Sequence, residues 1–326
     1  MMRKATALAH PNIALVKYWG KRDLTYNLPA AGSVSMTLDG MSTRTTVRFD
    51  PELEQDRISL NGEELERGKS ARLARFMDRV RIIAQSQEFA HVDTINDFPT
   101  SAGLASSASG FAALALAATK AAGVDLDPRK LSILARLGSG SAARSIYGGW
   151  AEMMPGVLAD GTDCYARQIA DESYWDLRCL VAVCAQGPKA IGSTEAMMQT
   201  ARTAPYYEAW VADVPRHIQR AHDAIQARDF EALALIAEES CLRMHACAMA
   251  ASPGILYWKG ITVELIHHIR ALRASGTPVF FTIDAGPHIK AFCTPDVEDR
   301  VAASLAEIDG VLDVLHTKPG AGARLI

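Results

Sequence analysis

The amino-acid sequence predicts an α+β fold built in two parts. The chain has 326 residues, 49% of them hydrophobic and 22% charged, which is enough for two modest domains with a sizeable core. Strand patterns and long helical patterns occur in groups, as is typical of α+β proteins. We expect a boundary near residue 185, giving domains 1–185 and 186–326, although no Pro/Gly/Ser-rich linker marks it.

Turn residues and periodicity predict the elements of the first half. Asn61-Gly62 predicts a tight hairpin turn, because both residue types tolerate positive φ. Asp127 before Pro128 predicts a helix start, with an N-cap and a proline at the first helical position. Other patterns predict one strand over 12–16, one over 33–49 and one near 91–96. Periodicity predicts a basic amphipathic helix over 66–87 with Leu73, Phe76, Val80 and Ile83 on one face, and an alanine-rich run predicts a tightly packed helix ending near Ala122.

The second half is predicted to combine long helices with buried strands. The apolar run over 179–185 predicts a strand that is buried on both faces. The remaining periodicity predicts helices over 194–202, 205–228, 230–250, 258–275 and 296–307, and strands over 278–283 and 311–315.

Charge and cysteine usage restrict the possible partners. A net charge of −3 creates no basic field, so we expect no nucleic-acid or membrane partner. The six cysteines form no Cys-x-x-Cys pair and are interpreted as reduced core thiols. There is no signal-peptide core, and no apolar run reaches the roughly 20 residues of a membrane span. The sequence therefore predicts a soluble cytoplasmic protein that holds any anionic ligand with a local cluster of cations.

The strongest local motif is Pro99-x-x-x-Gly103-Leu104-Ala105-Ser106-Ser107, at the start of the alanine-rich helix. A glycine-containing turn that leads into a helix presents unpaired N–H groups and the positive end of the helix dipole. Such a site suits the phosphates of a nucleotide, and the two serines add hydroxyls and a possible metal ligand. A capped structural helix with small residues is the alternative interpretation.

A second turn of small residues, Ser139-Gly140-Ser141-Ala142-Ala143, precedes Arg144. A guanidinium at this point could make a bidentate contact to a carboxylate or a phosphate. The alternative is a surface arginine beside a flexible turn.

Two further segments could face a cleft. Lys17-Tyr18-Trp19-Gly20-Lys21-Arg22 places three cations within six residues, although a solvated loop or an RNA contact would share this pattern. The overall charge argues against RNA. Asp284 ends an apolar strand and precedes a tight turn, where a carboxylate can face a cleft or cap the next helix.

Several common catalytic patterns are absent from the sequence. There is no Gly-x-x-x-x-Gly-Lys-Ser/Thr loop, no Gly-x-Gly-x-x-Gly, no His-Glu-x-x-His and no Gly-x-Ser-x-Gly. The histidines lack zinc-ligand spacing, and His245, His267 and His268 are interpreted as structural.

Taken together, the motifs resemble those of the diphosphomevalonate decarboxylase family within the GHMP kinase superfamily. Four segments match in the same order, namely 12–23, 96–108, 138–149 and 284–287. Weaker matches at 192–194 and 244–246 extend the resemblance to nearly the whole chain.

The resemblance implies an N-terminal domain like ribosomal protein S5 domain 2 and a C-terminal ferredoxin-like domain, with the active site between them. It implies ATP and Mg²⁺ as cofactors and mevalonate 5-diphosphate as substrate. The family phosphorylates the tertiary C3 hydroxyl, after which phosphate and CO2 leave and isopentenyl diphosphate forms. A homodimer is common in the family.

The resemblance also implies roles for individual residues. Asp284 would orient the hydroxyl and could accept its proton, and Arg144 with Asn12 would hold the C1 carboxylate. Lys17 would shape the charge around Asp284 and the transferred phosphoryl group. The implied ATP site consists of Pro99, Gly103, Leu104, Ala105, Ser106 and Ser107, with Ser107 as the metal ligand. The implied substrate contacts are Tyr18, Trp19, Gly20, Lys21, Arg72, Ser139, Gly140, Ser141, Ala142, Ala143, Arg144, Ser193 and Thr194.

One departure from the family pattern bears on the substrate. Ala31-Gly32-Ser33 stands where many relatives carry Asn-Ser-Ser, so we expect part of the polar lining near the substrate to be missing. A decarboxylase specific for the 5-monophosphate remains an alternative. So do a mevalonate kinase that stops at phosphorylation and a non-catalytic binding protein on the same fold.

Overall fold

The computed structural model describes residues 4–98, 106–185, 187 and 190–326. The helices are α1 (Arg67–Ala84), α2 (Ser106–Ala121), α3 (Pro128–Gly138), α4 (Ser193–Thr203), α5 (Tyr207–Ala227), α6 (Phe230–Met249), α7 (Gly260–Ala274) and α8 (Glu298–Ala306), with 3₁₀ segments Gly140–Ile146 and Pro295–Val297. The strands are β1 (Lys4–Ala9), β2 (Asn12–Val16), β3 (Lys21–Asp23), β4 (Leu28–Pro29), β5 (Ser33–Thr37), β6 (Thr43–Asp50), β7 (Arg57–Leu60), β8 (Glu63–Glu64), β9 (Phe89–Asn96), β10 (Trp150–Met153), β11 (Ala166–Ala170), β12 (Arg178–Val183), β13 (Val279–Ile283), β14 (Ile289–Cys293), β15 (Asp313–Thr317) and β16 (Arg324–Leu325).

The strands form three main sheets. Their strand orders are β16-β1-β6-β9-β7-β8, β11-β10-β5-β2 and β13-β14-β12-β15, and β3 pairs separately with β4. The α+β class predicted from the sequence is confirmed. The division at residue 185 stays a prediction. In the structure β12 joins the third sheet, and the C-terminal β16 pairs with β1 in the first.

Three large hydrophobic cores hold these layers together, and a small fourth cluster includes Leu28 and Cys164. Helix α2 covers the first sheet, and its alanines pack without exposed surface because their small side chains allow a close approach. The second sheet packs with α5 and α6 against one face of the third sheet, the face that carries Phe280 and Phe292. Phe281 and Ala291 on the opposite face belong to the core under α7 and α8. The third sheet is thus buried on both faces.

Several predicted turns and caps are confirmed. Asn61 and Gly62 have φ of 53° and 84°, and they join β7 to β8 with Leu60 paired to Glu63. The Asp127 carboxylate accepts the Lys130 N–H at 2.8 Å and caps α3.

Two details of the predicted elements are wrong. The stretch 33–49 contains two strands, β5 and β6, rather than one. On α1, Ile83 is 42% exposed, and Met77 is buried beside Phe76 and Val80 in its place. The side of α1 that packs against α2 is therefore rotated by a fraction of a turn from the predicted face.

The six cysteines are free and buried, as the sequence predicts. In the part of the chain that the structure describes, no helix combines the length and the apolar character that a membrane crossing needs.

Candidate active site

A cavity of about 810 Å³ collects most of the predicted site residues. Its walls come from the end of β2, from α1 and α2, from the 3₁₀ segment, from α4 and α6, and from the turn after β13. The predicted residues that line it are Asn12, Lys17, Tyr18, Trp19, Lys21, Arg72, Ser106, Ser107, Ser139, Gly140, Ser141, Arg144, Ser193, Thr194 and Asp284. Folding thus brings together four motifs that are far apart in the chain.

Lys17 and Asp284 form an ion pair at the floor of the cavity. Lys17 Nζ lies 2.7 Å from Asp284 Oδ1, and the two side chains are 2% and 26% exposed. The same ammonium donates to the Ala14 carbonyl at 2.8 Å, which fixes its position. Burial alone would raise the pKa of Asp284, but the charges of Lys17, Lys290 and Arg144 together hold it below its ordinary value. Asp284 is therefore a carboxylate at neutral pH.

The backbone just before Asp284 is held by α6. The Ile283 N–H donates to Cys241 Sγ at 3.2 Å, and His245 Nε2 lies 3.3 Å from the Ile283 carbonyl. Burial, followed by the charge of Lys17, lowers the pKa of His245 to about 3, so the ring is neutral and donates this hydrogen bond. The structural role predicted for His245 agrees with these contacts.

Arg144 is a buried cation that neutral oxygens surround. Nε donates to Ser35 Oγ at 2.8 Å, Nη2 donates to Asn12 Oδ1 at 3.0 Å, and Nη1 donates to Ser33 Oγ. Burial lowers the pKa of Arg144 to about 10, so it remains protonated at neutral pH. Among the described residues no carboxylate forms an ion pair with this guanidinium. A buried cation with this environment can bind an anionic ligand strongly.

Asn12 is oriented for this contact by the 3₁₀ segment. Its Nδ2 donates to Ser145 Oγ at 2.7 Å and to the Ser141 carbonyl at 2.9 Å. Both amide donors are therefore used, and Oδ1 is turned toward Arg144.

A second group of cations lies across the cavity. Lys21 Nζ is 3.3 Å from Thr194 Oγ1, and burial together with the charge of Arg72 lowers the pKa of Lys21 to about 8. Arg72 donates to the Gly138 carbonyl and lies 4.7 Å from the centre of the Phe111 ring. The hydroxyl of Tyr18 is buried beside Gly140 without a hydrogen-bond partner among the described residues. Lys21 and Arg72 are close enough to repel each other, and the unused Tyr18 hydroxyl lies beside them. This set of donors can bind a polyanionic group such as a phosphate.

The predicted nucleotide site is described only in part. Ser106 and Ser107 begin α2, and Ser107 Oγ lies 3.3 Å from Ser139 Oγ. Pro99, Gly103, Leu104 and Ala105 lie outside the described residues. Within the described ranges no group of three or more histidine, cysteine or acidic side chains could hold a metal ion. A hydroxyl such as that of Ser107 fits Mg²⁺ when phosphate oxygens supply the other ligands.

Three predicted substrate residues do not line the cavity. Ala142 and Ala143 are fully buried in the core. Gly20 has φ of +97°, and a Cβ there would collide with the Tyr207 hydroxyl. These residues support the backbone of the site.

The expected gap in the polar lining stays a prediction. Ala31 and Gly32 do not line the cavity. A Cβ at Gly32 would lie 2.7 Å from Ile218 Cδ1 and 2.9 Å from the Met153 carbonyl, so close packing of α5 requires a glycine here. Ser33, the last residue of this stretch, is retained as a partner of Arg144.

The structure adds residues that sequence reasoning missed. They are Ala14, Gly192, Glu195, Met197, Met244 and Ala285. Most are neighbours of predicted residues, and helical spacing from Ser193 could have indicated Met197. Met244 enters through α6, whose position depends on long-range packing.

Comparisons with known proteins identify the family of the chain. Residues 9–166 match the diphosphomevalonate decarboxylase-like N-terminal domain, and residues 179–323 match the mevalonate 5-diphosphate decarboxylase C-terminal domain. The human diphosphomevalonate decarboxylase is 38% identical over 91% of this chain and 79% of its own length. The phosphomevalonate decarboxylase of Haloferax volcanii is 35% identical over 95% of this chain and 94% of its own.

Solved structures give the same result. The structure of MDDEF in complex with MVAPP, AMPPCP and magnesium superposes with a TM-score of 0.93 at 37% identity, covering 100% of this chain and 99% of that one. The mevalonate diphosphate decarboxylase of Staphylococcus aureus superposes with a TM-score of 0.95 at 35% identity, covering 100% and 98%. The GHMP kinase fold expected from the sequence is confirmed, and the chain belongs to the diphosphomevalonate decarboxylase family.

Proposed function

We propose that the chain catalyses the ATP-dependent decarboxylation of mevalonate 5-diphosphate to isopentenyl diphosphate, ADP, phosphate and CO2, a step of isoprenoid biosynthesis. The observation that carries the proposal is Arg144, a buried guanidinium held by neutral groups in the same cavity as the ionised Asp284. Relatives named for this activity, and a related structure that contains MVAPP, AMPPCP and magnesium, support it.

Arg144 and Asn12 bind the carboxylate that leaves as CO2. The guanidinium is fixed by Ser33, Ser35 and Asn12, so it can bind both carboxylate oxygens without reorganising. A carboxylate held in one orientation is ready to lose CO2 when positive charge develops at C3.

Asp284 acts on the C3 hydroxyl. As a carboxylate it accepts a hydrogen bond from this crowded tertiary alcohol and orients it toward the phosphoryl donor. It also stabilises the positive charge that develops at C3 as phosphate departs. Lys17, 2.7 Å from Asp284, fixes the carboxylate and adds a positive charge beside the transferred group.

The cations on the opposite wall bind the diphosphate. Lys21, Arg72 and the Tyr18 hydroxyl supply donors, and the 139–141 turn and the start of α4 complete this wall. The nucleotide is proposed to bind at Pro99, Gly103, Leu104, Ala105, Ser106 and Ser107, with Ser107 as a ligand of Mg²⁺. When bound, Mg-ATP supplies the phosphoryl group that converts the C3 hydroxyl into a leaving group.

The experiment that tests the proposal follows ADP and CO2 together. Purified protein receives Mg-ATP with either mevalonate 5-diphosphate or mevalonate 5-phosphate. Equal ADP and CO2 from the diphosphate alone is the expected result. ADP without CO2 would mean a kinase and would refute the roles of Arg144 and Asp284.

The 5-monophosphate is the second candidate substrate, since the Haloferax volcanii relative is named a phosphomevalonate decarboxylase. ADP and CO2 from the monophosphate alone would assign the chain to that activity. Neither product from either substrate, in folded protein that binds ATP, would refute both candidates.

A homodimer in the cytoplasm is the proposed physical state. The six free, buried cysteines agree with a reducing compartment. Size-exclusion chromatography with light scattering tests the dimer, and a mass equal to one 35.2 kDa chain would refute it.

A further inference from the structure

We propose that Lys290 is a positioning residue for Asp284, a second buried cation that keeps this carboxylate ionised throughout the reaction cycle. The inference rests on the proposed function, because that function gives Asp284 its role at the C3 hydroxyl. Lys290 lies in none of the motifs that identify the family.

The register of the third sheet places Lys290 beside Asp284. In the antiparallel pair β13–β14, Thr282 lies opposite Lys290 and Ile283 lies opposite Ile289. Side chains alternate along a strand, so Thr282 and Lys290 share one face, and Asp284 follows two residues after Thr282. Lys290 is thus the diagonal neighbour of Asp284, within reach of a long side chain. Thr282 Oγ1 donates to the Ala14 carbonyl at 3.4 Å, so this face is the one that packs against β2.

The Lys290 side chain runs toward the same end of the hairpin. Its Nζ donates to the His288 carbonyl at 3.3 Å, and His288 is on the turn that Asp284 opens. Lys290 is 4% exposed, so its charge acts in a medium of low dielectric. Lys17 and Lys290 are the two cations that contribute most to lowering the pKa of Asp284.

The other titratable groups near Asp284 do not replace this charge. His245 on α6 is neutral, since its pKa is lowered to about 3. Burial raises the pKa of Cys241 on α6 to about 11 and that of Cys179 on β12 to about 12, so both are neutral thiols. His288 Nδ1 accepts a hydrogen bond from the Cys184 N–H. Only a neutral imidazole has a ring nitrogen that can accept, so His288 carries no charge.

Lys290 differs from the other cations near Asp284 because it does not line the cavity. Lys17 and Arg144 both do, so the transferred phosphoryl group and the substrate carboxylate can draw their charge away from Asp284. Substrate bound in the cavity does not contact Lys290. A bound substrate therefore does not compete with Asp284 for the charge of Lys290.

An NMR titration of the ligand-free protein tests the proposal without turnover. The protein is labelled with [4-¹³C]aspartate, and the Asp284 signal is identified by its loss in Asp284→Asn. Removing a nearby cation destabilises the carboxylate, so the Asp284 midpoint should rise by about one pH unit in Lys290→Met. Lys290→Arg should keep the wild-type midpoint, and Lys130→Met, at an exposed position on α3, should leave it unchanged.

The pH profile of turnover is the second readout. Protonation of Asp284 removes the reactive carboxylate, so the acidic limb of kcat should move to higher pH in Lys290→Met by the same amount as the NMR midpoint. KM for mevalonate 5-diphosphate should stay within about twofold, because Lys290 does not contact the ligand. If Lys290→Met does not fold, Lys290→Gln takes its place.

An unchanged NMR midpoint in a folded variant would overturn the proposal. So would a uniform loss of kcat with no movement of the acidic limb, which indicates a purely structural role. A shifted NMR midpoint in a protein that turns over neither substrate would refute the proposed function and leave the link between Lys290 and Asp284 intact.

Discussion

Arg144 shows how much a single side chain decides in this site. Three neutral partners fix its guanidinium, so the planar arrangement of donors matters as well as the charge. Arg144→Lys keeps the charge but loses the paired donors, and kcat for CO2 release should fall on the order of 10²-fold or more. ADP and CO2 assays check this, with Arg178→Lys, in a partly buried ion pair with Glu298 outside the cavity, as the matched control. Wild-type kcat in Arg144→Lys would contradict the role.

At the residue scale, the sequence indicated side chains that line the cavity where they lie in a short motif. Asp284, Arg144 and Lys17 were identifiable because each lies in a segment that resembles a motif of the family, although each segment alone had another interpretation. Lys290 was not, because its relation to the cavity depends on strand register. Met244 lies in one of the weaker family matches, but its place at the cavity depends on the docking of α6. No local pattern encodes such long-range contacts.

At the scale of elements, two glycines should respond in opposite directions to the same change. Gly62 has φ of +84° in the β7–β8 turn with open space around it, so an alanine there suffers backbone strain alone. Gly110 lies inside α2, also with open space. Gly62→Ala should lower the free energy of unfolding by about 1 kcal/mol, and Gly110→Ala should raise it by about 1 kcal/mol. Urea denaturation measures both free energies of unfolding, provided that their dependence on urea concentration keeps the wild-type slope. A change of the same sign in both variants would contradict the turn geometry.

His217 makes the packing of α5 on α6 sensitive to pH. The ring is buried, and Nε2 lies 3.3 Å from Asp213 Oδ2 and accepts from Arg243 Nη1 at 3.1 Å. Burial lowers the pKa of His217. The charges of Arg243 and Arg220 lower it further, whereas those of Asp213 and Glu239 raise it without offsetting the decrease. The folded-state pKa of His217 lies below the unfolded value of about 6.5. The contribution of the neutral ring to the free energy of unfolding is therefore present above pH 6.5 and declines as pH falls.

His217→Gln should therefore reduce the decline in the free energy of unfolding between pH 7 and pH 5. The lowered pKa values of Asp213 and Glu239 act at lower pH, so they do not mask the effect. His267→Gln, at an exposed position on α7, is the control. Equal pH dependence in His217→Gln and wild-type protein would show that α5 and α6 tolerate the protonated ring.

Element prediction was best for the long amphipathic helices. Helices α5, α6 and α7 begin and end within about two residues of the predicted bounds, because apolar residues recur over many turns. Short strands such as β10 and β14 were missed. In β10 the buried Glu152, paired with Arg167 and His222, interrupts the apolar pattern. A polar residue satisfied by distant partners cannot be recognised as buried from its neighbours in sequence.

The whole molecule is organised by the contact between its two parts. Next to the Lys17–Asp284 pair, the Lys17 N–H donates to Ser240 Oγ on α6 at 2.9 Å. The sequence predicted two parts with a site between them through family resemblance. The contact between the outer end of β2 and the turn after β13 was likewise implied only by the resemblance, because it joins residues 267 positions apart and no local pattern encodes it.

Ligand binding should therefore stabilise both parts together. The diphosphate, the carboxylate and the C3 hydroxyl of the substrate are proposed to contact groups from β2, α1, the 3₁₀ segment and the turn after β13. At 100 times Kd, a ligand that binds only the folded state adds about 2.7 kcal/mol, which corresponds to a Tm increase of about 5 °C. Differential scanning calorimetry with mevalonate 5-diphosphate measures this.

Mevalonate, which lacks the groups that Lys21 and Arg72 are proposed to bind, is the matched control ligand and should raise Tm less at the same concentration. Arg72→Ala should narrow the difference between the two ligands, because it removes a donor that only the phosphorylated ligand uses. An endotherm in which one transition moves and another stays would contradict a site shared by both parts. A single transition that moves as a whole is expected, because a ligand contacting both walls is released only when the walls separate.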